Sequence, residues 1–246
     1  MIEDVEARLR GTIDSLRIIN LESRADRRRE MEAELAQIGL AVQNGFGAFF
    51  KAVRPEPAGP FPSVGARGCF LSHLRLLEQA QAEGHKAILI LEDDAAIVPE
   101  LRMRFVEAIE ELSNLDWALA YLGYRIASDR PPGPDSAVSA IWRTVAAQTR
   151  LQTTHAMLVH HRAFAPLIGY LSDMLERPPG HPDGGPMHVD GAYSRFRSSY
   201  PDMQTLITTQ PYVLQRASAS DITAPSWKER VPFIGQLRRL RNRLSG

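Results

Sequence analysis

Residues 86–94 read KAILILEDD. From Ala87 to Leu91 the run is apolar without interruption, and it is closed on one side by Gly84 and on the other by acids. A run of this length and composition predicts a strand buried on both faces, the type found in parallel sheets. In open α/β sheets ligands bind beyond the carboxyl ends of such strands, and that is where Glu92, Asp93 and Asp94 fall. If the segment stays extended, Glu92 and Asp94 point one way and Asp93 the other. Two carboxylates on one side repel each other, and a divalent cation relieves the repulsion. Mg²⁺ and Mn²⁺ favour oxygen ligands and retain open positions for phosphates, so Glu92 and Asp94 are candidate metal ligands. The same acids would also suit the start of a following helix, so capping stands beside metal binding.

Working outward, Ser15–Leu21 (SLRIINL) predicts a first strand. Ser23 is placed to cap a helix from Arg24 to Ile38, with Met31, Leu35 and Ile38 apolar and Gly39 as its stop. Residues 55–65 are rich in Pro and Gly and predict a loop. Cys69–Ala82 reads as a helix with Phe70, Leu74 and Leu77 on its buried side. Beyond the acids, Pro99 suits the first turn of a helix to about Ser113, and Trp117–Leu122 predicts another buried strand. A loop over 128–136, strands over 141–149 and Thr154–His160, and a helix over Ala163–Leu175 follow. Residues 177–187 are irregular, a short helix begins at Tyr193, and Gln204–Val213 gives a last strand. Alternating strands and helices predict an α/β fold, a mostly parallel central sheet with helices on both faces. No composition shift divides the chain, so residues 1–226 read as one domain with 227–246 as a tail.

The 246 residues suffice for one large α/β domain with a sizeable core. Lys+Arg and Asp+Glu both number 29, a balance that argues against nucleic acid as the partner. The single cysteine, Cys69, has no internal disulfide partner, which suits a reducing compartment. The first residues, MIEDVEARLRG, lack the apolar core of a signal peptide, and no stretch reaches the roughly 18 apolar residues of a membrane span. A cytoplasmic protein, or one attached to a membrane only at its surface, is expected.

Several segments recur in one order: INLESRADRR (Ile19–Arg28), GCFLSH (Gly68–His73), LILEDD (Leu89–Asp94), YLG (Tyr121–Gly123), THAML (Thr154–Leu158), VD (Val189–Asp190), then Gln210-Pro211, Gln215–Ser218, Ser220, Asp221 and Ile222. Together they resemble glycosyltransferase family 25, the family of lipooligosaccharide and collagen hydroxylysine galactosyltransferases. The resemblance spans about residues 15–222. It implies a GT-A type fold, a UDP-sugar donor (typically UDP-galactose), a Mn²⁺-type cofactor and inversion at the anomeric carbon. The expected reaction moves a hexose to a hydroxyl of a surface-glycan or lipid-linked oligosaccharide acceptor.

On that resemblance Asn20, Leu21 and Arg24, at the end of the first strand, would lie at the nucleotide base and ribose. Arg24 and Arg28 could also meet phosphate, whereas Arg27 and Arg29 read as a solvated helix face. Ser72 and His73 are polar residues inside an apolar helix pattern and need partners; His73 is placed at the donor or the acidic triplet. Cys69 reads as a packed thiol, since nothing near it in sequence supplies a base. Asp190 is the candidate catalytic base for the acceptor hydroxyl; it could instead cap a helix or join His188 as a metal ligand. Asp93, turned away from its neighbours, is the second catalytic candidate. His155 and His161 lie too far apart along a strand to share one metal, and His155 is placed on the acceptor side. Gln210, Ser218 and Ser220 would close on the diphosphate if the C-terminal segment folds over the donor, or else form an ordinary polar turn.

Residues 227–244 combine Arg238, Arg239, Arg241 and Arg243 with Trp227, Phe233, Ile234 and several leucines. This basic amphipathic pattern suits an anionic membrane surface, or a terminal helix packed on the domain. Two other functions compete with the transferase: an inactive module that only binds nucleotide sugar, and a metal-dependent phosphohydrolase. The latter would need more Asp and His ligands clustered near the triplet than the sequence supplies.

Overall fold

In the computed structural model, which describes residues 4–43, 45–127 and 136–216, the run at 87–91 is an interior strand, third in order, of a seven-stranded sheet. The chain forms α1 (Val5–Leu9), β1 (Ser15–Asn20), α2 (Ala25–Ala36), β2 (Gly47–Lys51), α3 (Val64–Ala82), β3 (Ala87–Glu92) and β4 (Ala95–Ile97). It continues through α4 (Arg102–Glu111), β5 (Leu119–Ile126), β6 (Trp142–Thr144), β7 (Leu151–His160), α5 (His161–Glu176), α6 (Val189–Ser199), β8 (Thr205–Thr208) and β9 (Val213–Gln215). The sheet order is β2-β1-β3-β7-β5-β8-β6. β1 is parallel to β2 and β3, and β5 to β8, while β7 opposes both β3 and β5. Five strands therefore share one direction, and only β7 and β6 oppose it. This is the mostly parallel α/β architecture expected of a GT-A type fold.

The alternation of β3 explains why its sequence is apolar throughout. Leu89 and Leu91 face a core layer built with Leu9, Met31, Leu35, Phe105 and Ile109 of α1, α2 and α4. Ile88 and Ile90 face the opposite layer, with Phe70, Leu74 and Leu77 of α3, Phe164 and Leu167 of α5, and Phe196 of α6. With helices on both faces, neither side of the strand can carry a polar residue without losing burial worth about 2 kcal/mol per large side chain.

The structure corrects several local expectations. Glu92 ends β3, but Asp93 and Asp94 form a turn, so the triplet is not extended and two-residue alternation does not govern it. The next element is the strand β4, not a helix, so the acids cap nothing. Ser23 is not the cap of α2; Arg24 holds that position, and its side chain pairs with Asp26 rather than capping the helix. The expected last strand over 204–213 is two strands. β8 joins the main sheet, and β9 pairs antiparallel with β4 in a separate ribbon beside the acidic turn. α6 begins at Val189, four residues before Tyr193, and takes Asp190 into its first turn. The tail at 227–246 and Ser218 and Ser220 lie outside the described residues.

Candidate active site

A cavity of about 430 Å³ opens at the carboxyl end of β1 and β3. Its wall includes Leu21 and Arg24 after β1, Arg27 of α2, Val53 and Arg54 after β2, and Gly68, Cys69 and Ser72 of α3. Glu92, Asp93 and Asp94 all reach it. Its place beyond the strand ends is the one the parallel sheet dictates.

The three acids have three different surroundings. Asp93 is buried and clamped: Asn20 Nδ2 donates to its Oδ2 at 2.8 Å, and Arg27 Nη1 to its Oδ1 at 2.5 Å. Asn20 is itself held by Arg28 Nε at 3.3 Å, and the Arg28 guanidinium lies over the Phe49 ring. Glu92 turns toward α3 and β7. Its Oε1 accepts from Thr154 Oγ1 at 2.7 Å, with His73 Nε2 at 3.6 Å and Cys69 Sγ at 4.0 Å. Burial alone would raise the Glu92 carboxyl, but His73 and the Thr154 hydroxyl outweigh it and hold the group below its ordinary value.

Asp94 has no such company. Its Oδ1 is buried without a hydrogen-bond partner. Burial first, and then the negative charge of Glu92, push its carboxyl up to about 6. An orphaned oxygen and a proton held against charge repulsion are what a carboxylate shows when its cation is missing from the protein's own groups. The residues present therefore fit a divalent ion at Asp94, with Glu92 beside it.

Around these acids the buried polar groups are positioned by close packing. Ser72 Oγ donates to Gly68 O at 2.7 Å and accepts from Val53 N at 2.8 Å, which ties α3 to the chain after β2. His155 is buried and donates from Nε2 to Val213 O at 2.9 Å. It fits because residue 123 is glycine: a Cβ there would stand 2.2 Å from His155 Nε2 and 2.7 Å from Val213 O. The pairing of β5 with β7 shifts register at the same glycine, a distortion typical of strands beside active sites. Thr153, two residues before His155 on β7, has φ 71°. Its N–H reaches Asp190 Oδ2 at 3.3 Å, while Asp190 Oδ1 accepts from Gly191 N at 2.7 Å. Left-handed backbone at a threonine stores strain that the surroundings must hold.

The sequence-derived candidates are thus sorted by place. Leu21, Arg24, Ser72, Glu92, Asp93 and Asp94 line the cavity. Arg24 also pairs with Asp26 at 2.9 Å. Asn20 and Arg28 do not reach the cavity wall; they stand behind Asp93 and hold it. His73 is fully buried and meets the triplet through Glu92, one of the two partners expected for it. Arg27 is not the solvated residue expected, since it is the main partner of Asp93; Arg29 is exposed as expected. Asp190 is not the helix cap, a position held by His188, and it does not line the cavity. It is near enough to add to the forces acting on Cys69. Burial, then Glu92, then Asp190 raise that thiol well above its ordinary range, so it is no nucleophile. Gln210 is exposed in the turn between β8 and β9 and reaches none of these groups. Sequence reasoning gave no site role to Thr154 or Arg54; Thr154 lay inside the recognised THAML segment, and nothing in the sequence marked Arg54.

The comparisons with known proteins bear on the same residues. A family model described as "Glycosyltransferase family 25 (LPS biosynthesis protein)" matches residues 59–228. A "Glycosyltransferase 25 family member" of Aedes aegypti is 29% identical over 133 residues, 45% of this chain and 21% of that protein. A human protein named "Inactive glycosyltransferase 25 family member 3" is 28% identical over 193 residues, 68% of this chain and 32% of that one. "Procollagen galactosyltransferase 1-B" of Xenopus laevis is 26% identical over 142 residues, 50% and 23% of the two chains. The matched parts of this chain thus span between about a fifth and a third of these relatives. A solved glycosyltransferase "involved in the glycosylation of the major capsid of PBCV-1" superposes with TM-score 0.40 at 10% identity, over 84% of this chain and 94% of that one. The matched span takes in Cys69, His73, the acidic triplet, Thr154 and Asp190, the residues that converge in space, and by that match the chain belongs to glycosyltransferase family 25.

Proposed function

We propose that the chain is an inverting hexosyltransferase. It moves a hexose, galactose first among the candidates, from a UDP-sugar to a hydroxyl of a glycan acceptor, with a divalent metal. The observation that carries this reading is the orphaned Oδ1 of Asp94 on a cavity wall otherwise supplied with arginines. When bound, Mn²⁺ or Mg²⁺ would screen the diphosphate charge that grows as the sugar departs. Asp94, with Glu92, would hold it. Arg24 and Arg54 would face the phosphates, and Leu21 would pack on the base or ribose. Asp93, held rigid by Asn20 and Arg27, serves the chemistry by fixing the acidic turn. Asp190 would take the proton of the attacking hydroxyl, its carboxylate aimed by the N–H groups of Thr153 and Gly191.

Family membership supports a transferase acting on a nucleotide sugar and a glycan. Surface-glycan or lipid-linked acceptors suit the family's description, and a cytoplasmic enzyme touching a membrane through the tail after residue 226 would suit such acceptors. Among the described residues no helix is long and apolar enough to cross a membrane.

A panel of UDP-, GDP- and CMP-sugars, each with and without Mn²⁺, tests the donor. A ligand that binds only the folded chain raises its melting temperature. UDP-hexose should do so only with Mn²⁺, and Asp94→Ala should abolish both the shift and turnover. Turnover retained by Asp94→Ala would overturn the metal role. A second reading, a module that binds nucleotide sugar without turning it over, is favoured by the word "inactive" in the name of the human relative. A metal-dependent shift without release of UDP in the presence of acceptors would support it.

A further inference from the structure

A second group of metal-competent atoms stands beside the acidic turn, on its α3 side. Cys69 and His73 are four residues apart on α3, so they project from one helix face, one above the other. Glu92, at the end of β3, faces that pair. Cys69 Sγ, a ring nitrogen of His73 and a Glu92 oxygen all lie within 4.8 Å of one another. Sγ stands 4.0 Å and His73 Nε2 3.6 Å from Glu92 Oε1. Around a tetrahedral ion with Zn–S near 2.3 Å and Zn–N and Zn–O near 2.0–2.1 Å, ligand atoms are about 3.3–3.6 Å apart. The two distances to Glu92 need shorten by only a few tenths of an ångström, while Cys69 and His73, within 4.8 Å of each other, close by a side-chain adjustment of about 1 Å at most.

His73 supplies the independent sign of a missing ligand. The residue is fully buried, yet its Nε2 makes no hydrogen bond: Glu92 Oε1, whose charge it faces, stands at 3.6 Å, beyond hydrogen-bond reach. Its other nitrogen, Nδ1, lies 3.3 Å from the Tyr193 hydroxyl. A ring held through one nitrogen by a second-layer oxygen, with the other nitrogen facing a thiol and a carboxylate, is the usual arrangement of a metal-binding histidine.

We propose that Cys69, His73 and Glu92 form a binding site for a thiophilic divalent ion of the zinc class, which adjoins the oxygen-preferring metal placed at Asp94 and shares Glu92 with it. Binding displaces the Cys69 proton to solvent and leaves the sulfur as thiolate. His73 binds through the Nε2 lone pair with its proton on Nδ1, toward Tyr193. Cys69 and Glu92 both line the cavity, so the fourth position opens to it. Three protein ligands and one open position make a site that fills and empties with the surrounding metal concentration. An ion there engages Glu92 on the wall of the donor cavity, so zinc would inhibit transfer. That consequence rests on the proposed function, but occupancy of the site does not.

The test therefore uses the metal alone, on the full, untagged chain stripped of metal, with no nucleotide sugar. Cobalt replaces zinc as a coloured probe. The chain has one cysteine, so any thiolate-to-cobalt charge-transfer absorption must come from Cys69. One cobalt per chain should produce that absorption together with the strong visible bands of a four-coordinate ion, and zinc should displace it. Cys69→Ser should lose the charge-transfer absorption and weaken zinc binding at least about tenfold. If that variant does not fold, wild-type protein still answers: zinc should slow alkylation of the single thiol, and Mn²⁺ should not. Cobalt binding without charge transfer, zinc binding unchanged in Cys69→Ser, or alkylation indifferent to zinc would each overturn the proposal. None of these outcomes bears on donor turnover, so the two readings fail separately.

Discussion

Arg27 Nη1 lies 2.5 Å from Asp93 Oδ1, and the pair joins a helix to a turn 66 residues away in sequence. Both side chains are close to nine-tenths buried. Removing one member leaves the other charge in a poor dielectric environment. Arg27→Ala should therefore lower stability by about 2–4 kcal/mol, read by urea unfolding. The double variant Arg27→Met with Asp93→Asn should recover much of that loss. A single variant within about 0.5 kcal/mol of wild type would mean the pair is solvated in solution.

Asp94 gives the molecule a pH signature. Its carboxyl titrates at about 6 in the folded chain against an ordinary 3.8. Between these values the folded state holds more protons than the unfolded state, so the contribution of Asp94 to stability falls as pH rises through this window. Allowing for water at the cavity mouth, the change is roughly 2 kcal/mol. Asp94→Asn should match wild type near the acid end and exceed it above about pH 6. Saturating Mn²⁺ at neutral pH should reverse the order, because only wild type gains from the ion. Unfolding curves across this range, with and without Mn²⁺, give the answer directly.

Gly123→Ala should disrupt the site without altering any ionisable group. The new Cβ would collide with both His155 Nε2 and Val213 O, one a ring held in a buried slot and the other backbone. Overpacking of this kind costs about 1–3 kcal/mol, and the His155–Val213 hydrogen bond should be lost with it. The chemical shifts of the His155 ring, compared between the two proteins, would show whether the imidazole has moved.

Asp190→Asn keeps the shape of the side chain and its acceptor oxygen, but not a carboxylate able to take a proton. Turnover should fall about 10²–10⁴-fold. The thermal shift given by the donor with Mn²⁺ should persist, since Asp190 does not line the donor cavity. Loss of donor binding in this variant would favour Asp190 as a metal ligand, with His188, over the base.

What could be read in the sequence follows from the range of the interactions involved. KAILIL was legible because burial on both faces writes itself into every consecutive residue. The place of the triplet at its end was legible for the same reason. β4 was not, because AAI is three residues long and becomes a strand only through β9, more than a hundred residues later. The role of Arg27 was hidden because α2 is crowded with charges of both signs, and nothing local separates the arginine with a buried partner from Arg29, which faces water. The start of α6 was hidden by the proline- and glycine-rich stretch before it, with no capping side chain at His188 to mark the boundary. His73 was recognisable as a polar residue in an apolar pattern, but its partners Glu92 and Tyr193 come from elements that only the fold brings together.

The clamp on Asp93 also sets how small a working unit can be. The family match begins at residue 59, yet Asn20, Arg27 and Arg28 precede it, as do the two strands that flank β3 on one side. A fragment cut at the similarity boundary would keep the acids but strip Asp93 of its Asn20 and Arg27 partners, beside a bared sheet edge ready to pair with another chain. The matched span and the set of contacts that hold the acidic turn are different lengths of this polypeptide, and the difference is the stretch before residue 59.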